Sequence, residues 1–235
     1  MEKTGYNLKS NKLEHVPKQE GIMKRFKVAA VIILSGLLLY GCKMGGESSQ
    51  FPPEQSTIYV SRDGEVYTAL VKEYDTSHGY YSAEELKAMA EQEAAEYNAE
   101  YPSGQEGAAA VSLTECSLEN GTAKVVYRYL TGDDLCRFTE AAGDQINQVE
   151  DFKVSTVADG LGKMNETGGT WVEVKNNSTI DPGEIMKKSK LNLVVITGGA
   201  SVQTEGKILY YSGNVNLKDE FTAQVTEGSA CLIFK

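Results

Sequence analysis

The sequence predicts an α+β protein: two β-hairpin–helix units, then a strand-rich C-terminal half forming a β-meander or a small stacked β-layer. Three observations carry this. Asp63-Gly64 and Asn120-Gly121 each separate two runs rich in Val, Ile, Tyr, Thr and Ala, the pattern of a tight hairpin. Each pair of runs is followed by a helix signal, a Ser or Thr cap with acidic residues in the first turn and apolar residues at helical spacing. After Gly143, short apolar runs alternate with Gly, Asn and Asp turns.

The elements follow in order. Thr57–Ser61 and Glu65–Lys72 are strands around Asp63-Gly64, where both residues tolerate positive φ. Ser82-Ala83-Glu84-Glu85 reads as a capping box, with Ser82 accepting from first-turn amides and Glu85 returning the bond. Leu86, Met89, Ala90, Ala94 and Tyr97 then fall on one helical face, until Pro102-Ser103-Gly104 stops the helix. Ala110–Leu118 and Thr122–Leu130 form the second hairpin, and Tyr127 and Tyr129, alternating with Val126, Arg128 and Leu130, are core or half-buried sheet residues. Thr131 and Asp133-Asp134 open a shorter helix with Leu135, Phe138 and Ala142 inward.

In the second half, Phe152–Val157 and Thr170–Lys175 are strands, and Asp181-Pro182-Gly183 is a turn. Leu191–Thr197, Ala200–Gln203, Lys207–Ser212, Asn214–Leu217, Phe221–Val225 and Ala230–Phe234 are further short strands. Trp171, the one tryptophan, is expected in the core. The folded part thus divides into an α+β stretch, 57–142, and a β-rich stretch, 143–235.

The N-terminus has a different character. Residues 1–22 are polar, and Met23 is the expected initiator, the upstream stretch being a start-site misassignment or else a long leader. Residues 23–41 carry a basic start (Lys24, Arg25, Lys27), then 13 uncharged residues from Val28 to Tyr40. That run is short of the roughly 20 apolar residues a spanning helix needs and fits the apolar region of an export signal. It ends in Leu39-Tyr40-Gly41-Cys42, which resembles the lipobox of bacterial lipoproteins; Leu39, Gly41 and Cys42 match the pattern, while Tyr40 stands where a smaller residue is usual. The resemblance implies that Cys42 receives a diacylglyceryl group and that a signal peptidase cuts between Gly41 and Cys42. It also implies a protein held on the extracytoplasmic face of the cell membrane. Two acyl chains suffice for stable anchoring, since each buried methylene contributes about 0.8 kcal/mol. The Gly-, Ser- and Pro-containing stretch 42–56 is then a flexible tether.

Charge narrows the partners. The formal net charge is -10, yet residues 1–41 hold seven Lys/Arg against three Asp/Glu, so the processed chain is the more acidic at -14. Such a surface repels nucleic acid, and no nucleic-acid partner is expected.

Chemical motifs are sparse. Beyond Cys42 the cysteines are Cys116, Cys136 and Cys231, with no Cys-x-x-Cys pair and no histidine at metal-ligand spacing. At most one internal disulfide is available, Cys116–Cys136 being nearest in sequence; buried thiols are the simpler expectation. Gly168-Gly169 and Gly198-Gly199 lack the Lys-Ser/Thr of a phosphate loop and read as turns. No metal or cofactor is expected. His78, with Tyr80 and Tyr81 in the same loop, is the candidate binding tip, able both to stack and to hydrogen-bond. The function expected is a non-enzymatic binding or interaction module of the cell envelope, with an envelope protein or glycan as partner. The alternatives are an envelope hydrolase using paired carboxylates and, behind it, a transporter substrate-binding lipoprotein.

Overall fold

A computed structural model describes residues 48–74, 82–160, 162–164 and 169–235. Gly41 and Cys42 lie outside the described residues, as do His78, Tyr80 and Tyr81.

The two hairpins form where their turns demand, in two different ways. Between β3 (Val111–Glu119) and β4 (Thr122–Tyr129), Asn120 has φ 51° and Gly121 φ 81°, the two-residue turn whose twist matches the flanking strands. Between β1 (Thr57–Val60) and β2 (Val66–Glu73), only Gly64 takes a positive φ, 83°, and Asp63 does not. The Gly64 amide donates to the Ser61 carbonyl at 3.1 Å and the Ser61 amide to the Glu65 carbonyl at 3.0 Å. This loop is therefore one residue longer than the two-residue turn expected, with the glycine closing it.

Each hairpin feeds a helix. Helix α1 (Ala83–Glu100) is capped by Ser82, whose Oγ accepts from the Glu85 amide at 3.2 Å and donates to the Glu84 carboxylate at 2.8 Å. Its inward face is Ala90, Ala94 and Tyr97, whereas Met89 is 42% exposed. Helix α2 (Gly132–Ala142) is capped by Thr131 and closed by Gly143 in the left-handed region. It buries Leu135, Phe138 and Thr139, and Ala142 faces solvent. Thr139 can take the inward place because its hydroxyl donates back to the Leu135 carbonyl at 2.9 Å.

The strand-rich C-terminal half supplies one sheet entirely and three strands of the other. It runs β5 (Asp151–Thr156), β6 (Trp171–Glu173), β7 (Ser178–Ile180), β8 (Asn192–Thr197), β9 (Ala200–Thr204), β10 (Ile208–Ser212), β11 (Val215–Leu217), β12 (Thr222–Val225) and β13 (Ser229–Phe234). One sheet has the order β11-β12-β9-β1-β2-β4-β3, the other β5-β8-β13-β10-β6-β7. The arrangement is stacked rather than a meander, and β9, β11 and β12 extend the sheet that the hairpins begin. The seam is parallel: Ile58 pairs with Val202 and Val60 with Thr204.

One continuous core lies between the layers. Ile58, Val60, Val202 and Val225 from the seven-stranded sheet meet Phe152, Ile196, Leu232 and Phe234 from the six-stranded sheet. Over β4, the helices take the place of the second sheet: Phe138 sits among Tyr97, Tyr127 and Tyr129, with ring centroids 4.8–5.8 Å apart. Helix α2 comes close against β5; a Cβ at Gly132 would lie 1.8 Å from the Phe152 carbonyl oxygen. Strands β8 and β13 read as unbroken apolar runs because both their faces are buried. Their outer residues Leu193, Val195, Cys231 and Ile233 pack with Trp171 and Ile185 in a second cluster. Ile185 belongs to a short helix, α3 (Pro182–Met186), so Asp181-Pro182-Gly183 is a helix start rather than a plain turn. Asp181 accepts from the Gly183 amide at 2.7 Å, and Pro182 takes the position where no donor is needed. Strand β7, absent from the sequence reading, pairs only with β6.

The expected tether is shorter than 42–56, because residues 49–56 lie against the sheet. The Ser49 amide donates to the Glu205 carbonyl at 2.9 Å and its hydroxyl to the Thr204 carbonyl at 2.8 Å. Phe51 stacks on Tyr59 and Tyr67 with centroids 4.9 Å away, and Ser56 Oγ accepts from the Val71 amide at 2.8 Å. This strap covers the outer cluster of Tyr59, Tyr67, Ala69 and Val126, which would otherwise face water. Gly, Ser and Pro signal a linker by composition, but the partners holding this one are distant in sequence. Among the described residues, no helix is long and apolar enough to cross a membrane.

Candidate functional site

An open concavity follows from how α2 is set. With Leu135, Phe138 and Thr139 inward, the helix turns Asp133, Cys136, Arg137 and Glu140 outward at three- and four-residue spacing. Opposite them run Gln148-Val149-Glu150, leading into β5, and the Gly198-Gly199 link between β8 and β9. Together they line an open groove of about 560 Å³. Gly198-Gly199 carries the chain from one sheet to the other. Gly198 has φ 117°, and a Cβ at Gly199 would lie 2.6 Å from the Thr226 carbonyl oxygen, so both glycines answer to the turn.

Three carboxylates, one guanidinium and one thiol give the groove its chemistry. Lys153 reaches the Asp133 carboxylate and stands 3.8 Å from that of Asp151. The Arg137 guanidinium lies 5.9 Å from the centroid of the Tyr101 ring, a cation–π contact. Burial pushes the Cys136 thiol up to about 11; the charges of Asp151 and Asp133 push the same way, and Lys153 opposes them. A nucleophilic cysteine needs the reverse setting, a cationic one that favours thiolate. Cys136 is a protonated, partly buried wall residue.

The other sequence candidates fall into the framework. Trp171, Tyr127 and Tyr129 are buried core residues, 4%, 7% and 3% exposed. Cys116, Cys136 and Cys231 form no disulfide. Glu93 is a carboxyl raised by burial, with Glu96 adding and a hydrogen bond from Tyr127 opposing, but it sits between α1 and β4 and not in the groove. Among the described residues, no group of three or more His, Cys, Asp or Glu is placed to hold a metal ion.

The groove went unread in the sequence. The outward face of α2 is legible from its amphipathic pattern, and the sequence presents Cys136 as a buried thiol or a disulfide partner of Cys116. The opposing wall joins Gln148-Val149-Glu150 to a sheet-to-sheet connection more than fifty residues downstream of α2, and no local signal couples that connection to the helix. No family model matches the chain, and neither a curated protein nor a solved structure matches it.

Proposed function

We propose that this chain is a bacterial lipoprotein, cut after Gly41, acylated on Cys42 and held on the extracytoplasmic face of the membrane, with an α+β domain that binds an envelope protein or glycan without catalysis. The single observation behind it is the sequence Leu39-Tyr40-Gly41-Cys42 at the end of a 13-residue uncharged run with a basic start. A binding role agrees with a groove whose one thiol is held protonated and whose one guanidinium lies over the Tyr101 ring. The excess of acidic residues in the processed chain argues against nucleic acid as the ligand.

Metabolic labelling with radioactive palmitate tests the anchor. Wild-type chain takes up label and partitions with membranes, while Cys42→Ala does neither. Equal labelling of the two would overturn the proposal.

A further inference from the structure

We infer that the groove between α2 and the Gly198-Gly199 link is a site for a primary ammonium on a short alkyl stem, the group that a lysine side chain and a free diamine share. The inference rests on the reading of the domain as a binding module and adds to it the chemistry of the ligand.

The charges of the groove do not cancel. Asp133, Glu140 and Glu150 line it against one cation, Arg137, whose guanidinium lies over the Tyr101 ring. Lys153, beside the groove, is shared between Asp133 and Asp151. Among the described residues, no salt bridge engages Glu140 or Glu150. These two carboxylates stand on opposite walls, Glu140 on the outward face of α2 and Glu150 at the entry to β5. Glu140 also falls in the last turn of α2, which carries no basic residue. The carbonyl end of a helix bears partial negative charge and favours a cation, so a carboxylate there is in the wrong place for the helix alone. A bound ammonium relieves both charges at once.

Cys136 reports the same field from inside the wall. Its thiol is pushed up to about 11, first by burial and then by Asp151 and Asp133, with Lys153 the smaller opposing influence. The potential along this wall is therefore negative even beside a lysine.

Shape supplies the rest. At about 560 Å³ the groove has the size of a small-ligand site. The protonated thiol of Cys136 and the side chain of Val149 give it apolar surface between the acidic groups. An alkyl stem can lie along that surface while its charged head stays at the carboxylates, the division a lysine side chain makes on any protein surface. An ammonium has three donors and no acceptor, which suits two facing carboxylates. The same field repels anions, and a neutral sugar leaves both carboxylates unmatched.

Amide chemical shifts test the site. The full chain, labelled with ¹⁵N and held in micelles of a neutral detergent, is titrated with 1,5-diaminopentane and separately with N-acetyl-lysine amide. Saturating shifts confined to residues 136–140, 148–150 and 198–199 are expected, with 1-pentanol producing none. Glu140→Gln and Glu150→Gln replace exposed side chains. Each should weaken binding about two- to fivefold, the size of one exposed ion pair. Glu106→Gln, an exposed acid outside this groove, should leave binding unchanged. Saturation by both compounds assigns the site to a lysine side chain, and saturation by the diamine alone to a free amine. Shifts that never saturate and spread over other acidic surface such as α1, or binding that both Gln variants leave intact, would overturn the site. Envelope fragments retained by the chain but released by neither the diamine nor the two variants would overturn the site and keep the binding reading. Diamine binding as expected, with hydrolysis of those fragments, would keep the site and overturn the non-catalytic reading.

Discussion

At the scale of single residues, the two half-buried thiols, Cys116 and Cys136, are shielded by their surroundings. Cys136 lines the groove, yet burial together with the charges of Asp151 and Asp133 holds its proton on, up to about 11. Cys116 is raised in the same direction, chiefly by burial. Thiolate is the reactive form, so at neutral pH Cys136 in a Cys116→Ser chain should react with an aromatic disulfide reagent about two orders of magnitude more slowly than an unperturbed thiol. Stopped-flow absorbance gives the rate, and reaction as fast as free cysteine would contradict this picture of the groove wall. Residue-level chemistry also explains two assignments that differ from the sequence reading. Met89 has the spacing of the buried face of α1, but that face is centred on Ala90, Ala94 and Tyr97, and the long side chain is left outside. Ala142 yields its inward place to Thr139, whose hydroxyl is satisfied by its own helix.

At the scale of elements, α1 is joined to β4 by a polar contact inside an aromatic layer. The Tyr127 hydroxyl bonds the Ala90 carbonyl at 3.2 Å and the Glu93 carboxylate at 3.1 Å. Burial raises the Glu93 carboxyl in the folded protein, so its contribution to stability is fully present below the unfolded value and is lost as pH rises through the folded one. Glu93→Gln keeps an acceptor for Tyr127 and never charges. The variant should match wild type at about pH 4 and exceed it at about pH 7, either side of the glutamate range, when urea midpoints are compared. A variant less stable at both would show that the carboxylate is a net stabiliser. The same scale shows what sequence can and cannot convey. Asn120-Gly121 and the Ser82 and Thr131 caps act through atoms a few residues away, and those elements formed where read. Composition alone reads the strap as a tether because Ser49 and Ser56 find their partners on β9 and β2, far along the chain. The groove is illegible for the same reason: the α2 wall faces one built from Gln148-Val149-Glu150 and the distant β8–β9 link.

At the scale of the whole molecule, the stretches before and after residue 143 share one sheet and one core. Strand β9 enters beside β1, with β12 and β11 beyond it, and Phe138 and Leu232 belong to the same buried cluster. Neither stretch can bury its apolar surface alone. Residues 48–235 should therefore unfold in a single urea transition, with fluorescence and circular dichroism coincident, while 48–142 and 143–235 made separately show no cooperative transition. A fragment that melts cooperatively would mark a true domain boundary at 143.

The parallel seam between β1 and β9 has a consequence for how the protein comes into being. A chain that emerges N-terminus first delivers β1 and β2 early and β9 late, since Ile58 must wait for Val202. Until then β1 presents an unpaired edge, the kind of surface that recruits other strands. The docking place of Ser49 does not yet exist either, because it is made of β9. The nascent domain is therefore at its most adhesive while most of it is still to arrive, and the last stretch of chain both closes that edge and gives the strap its footing.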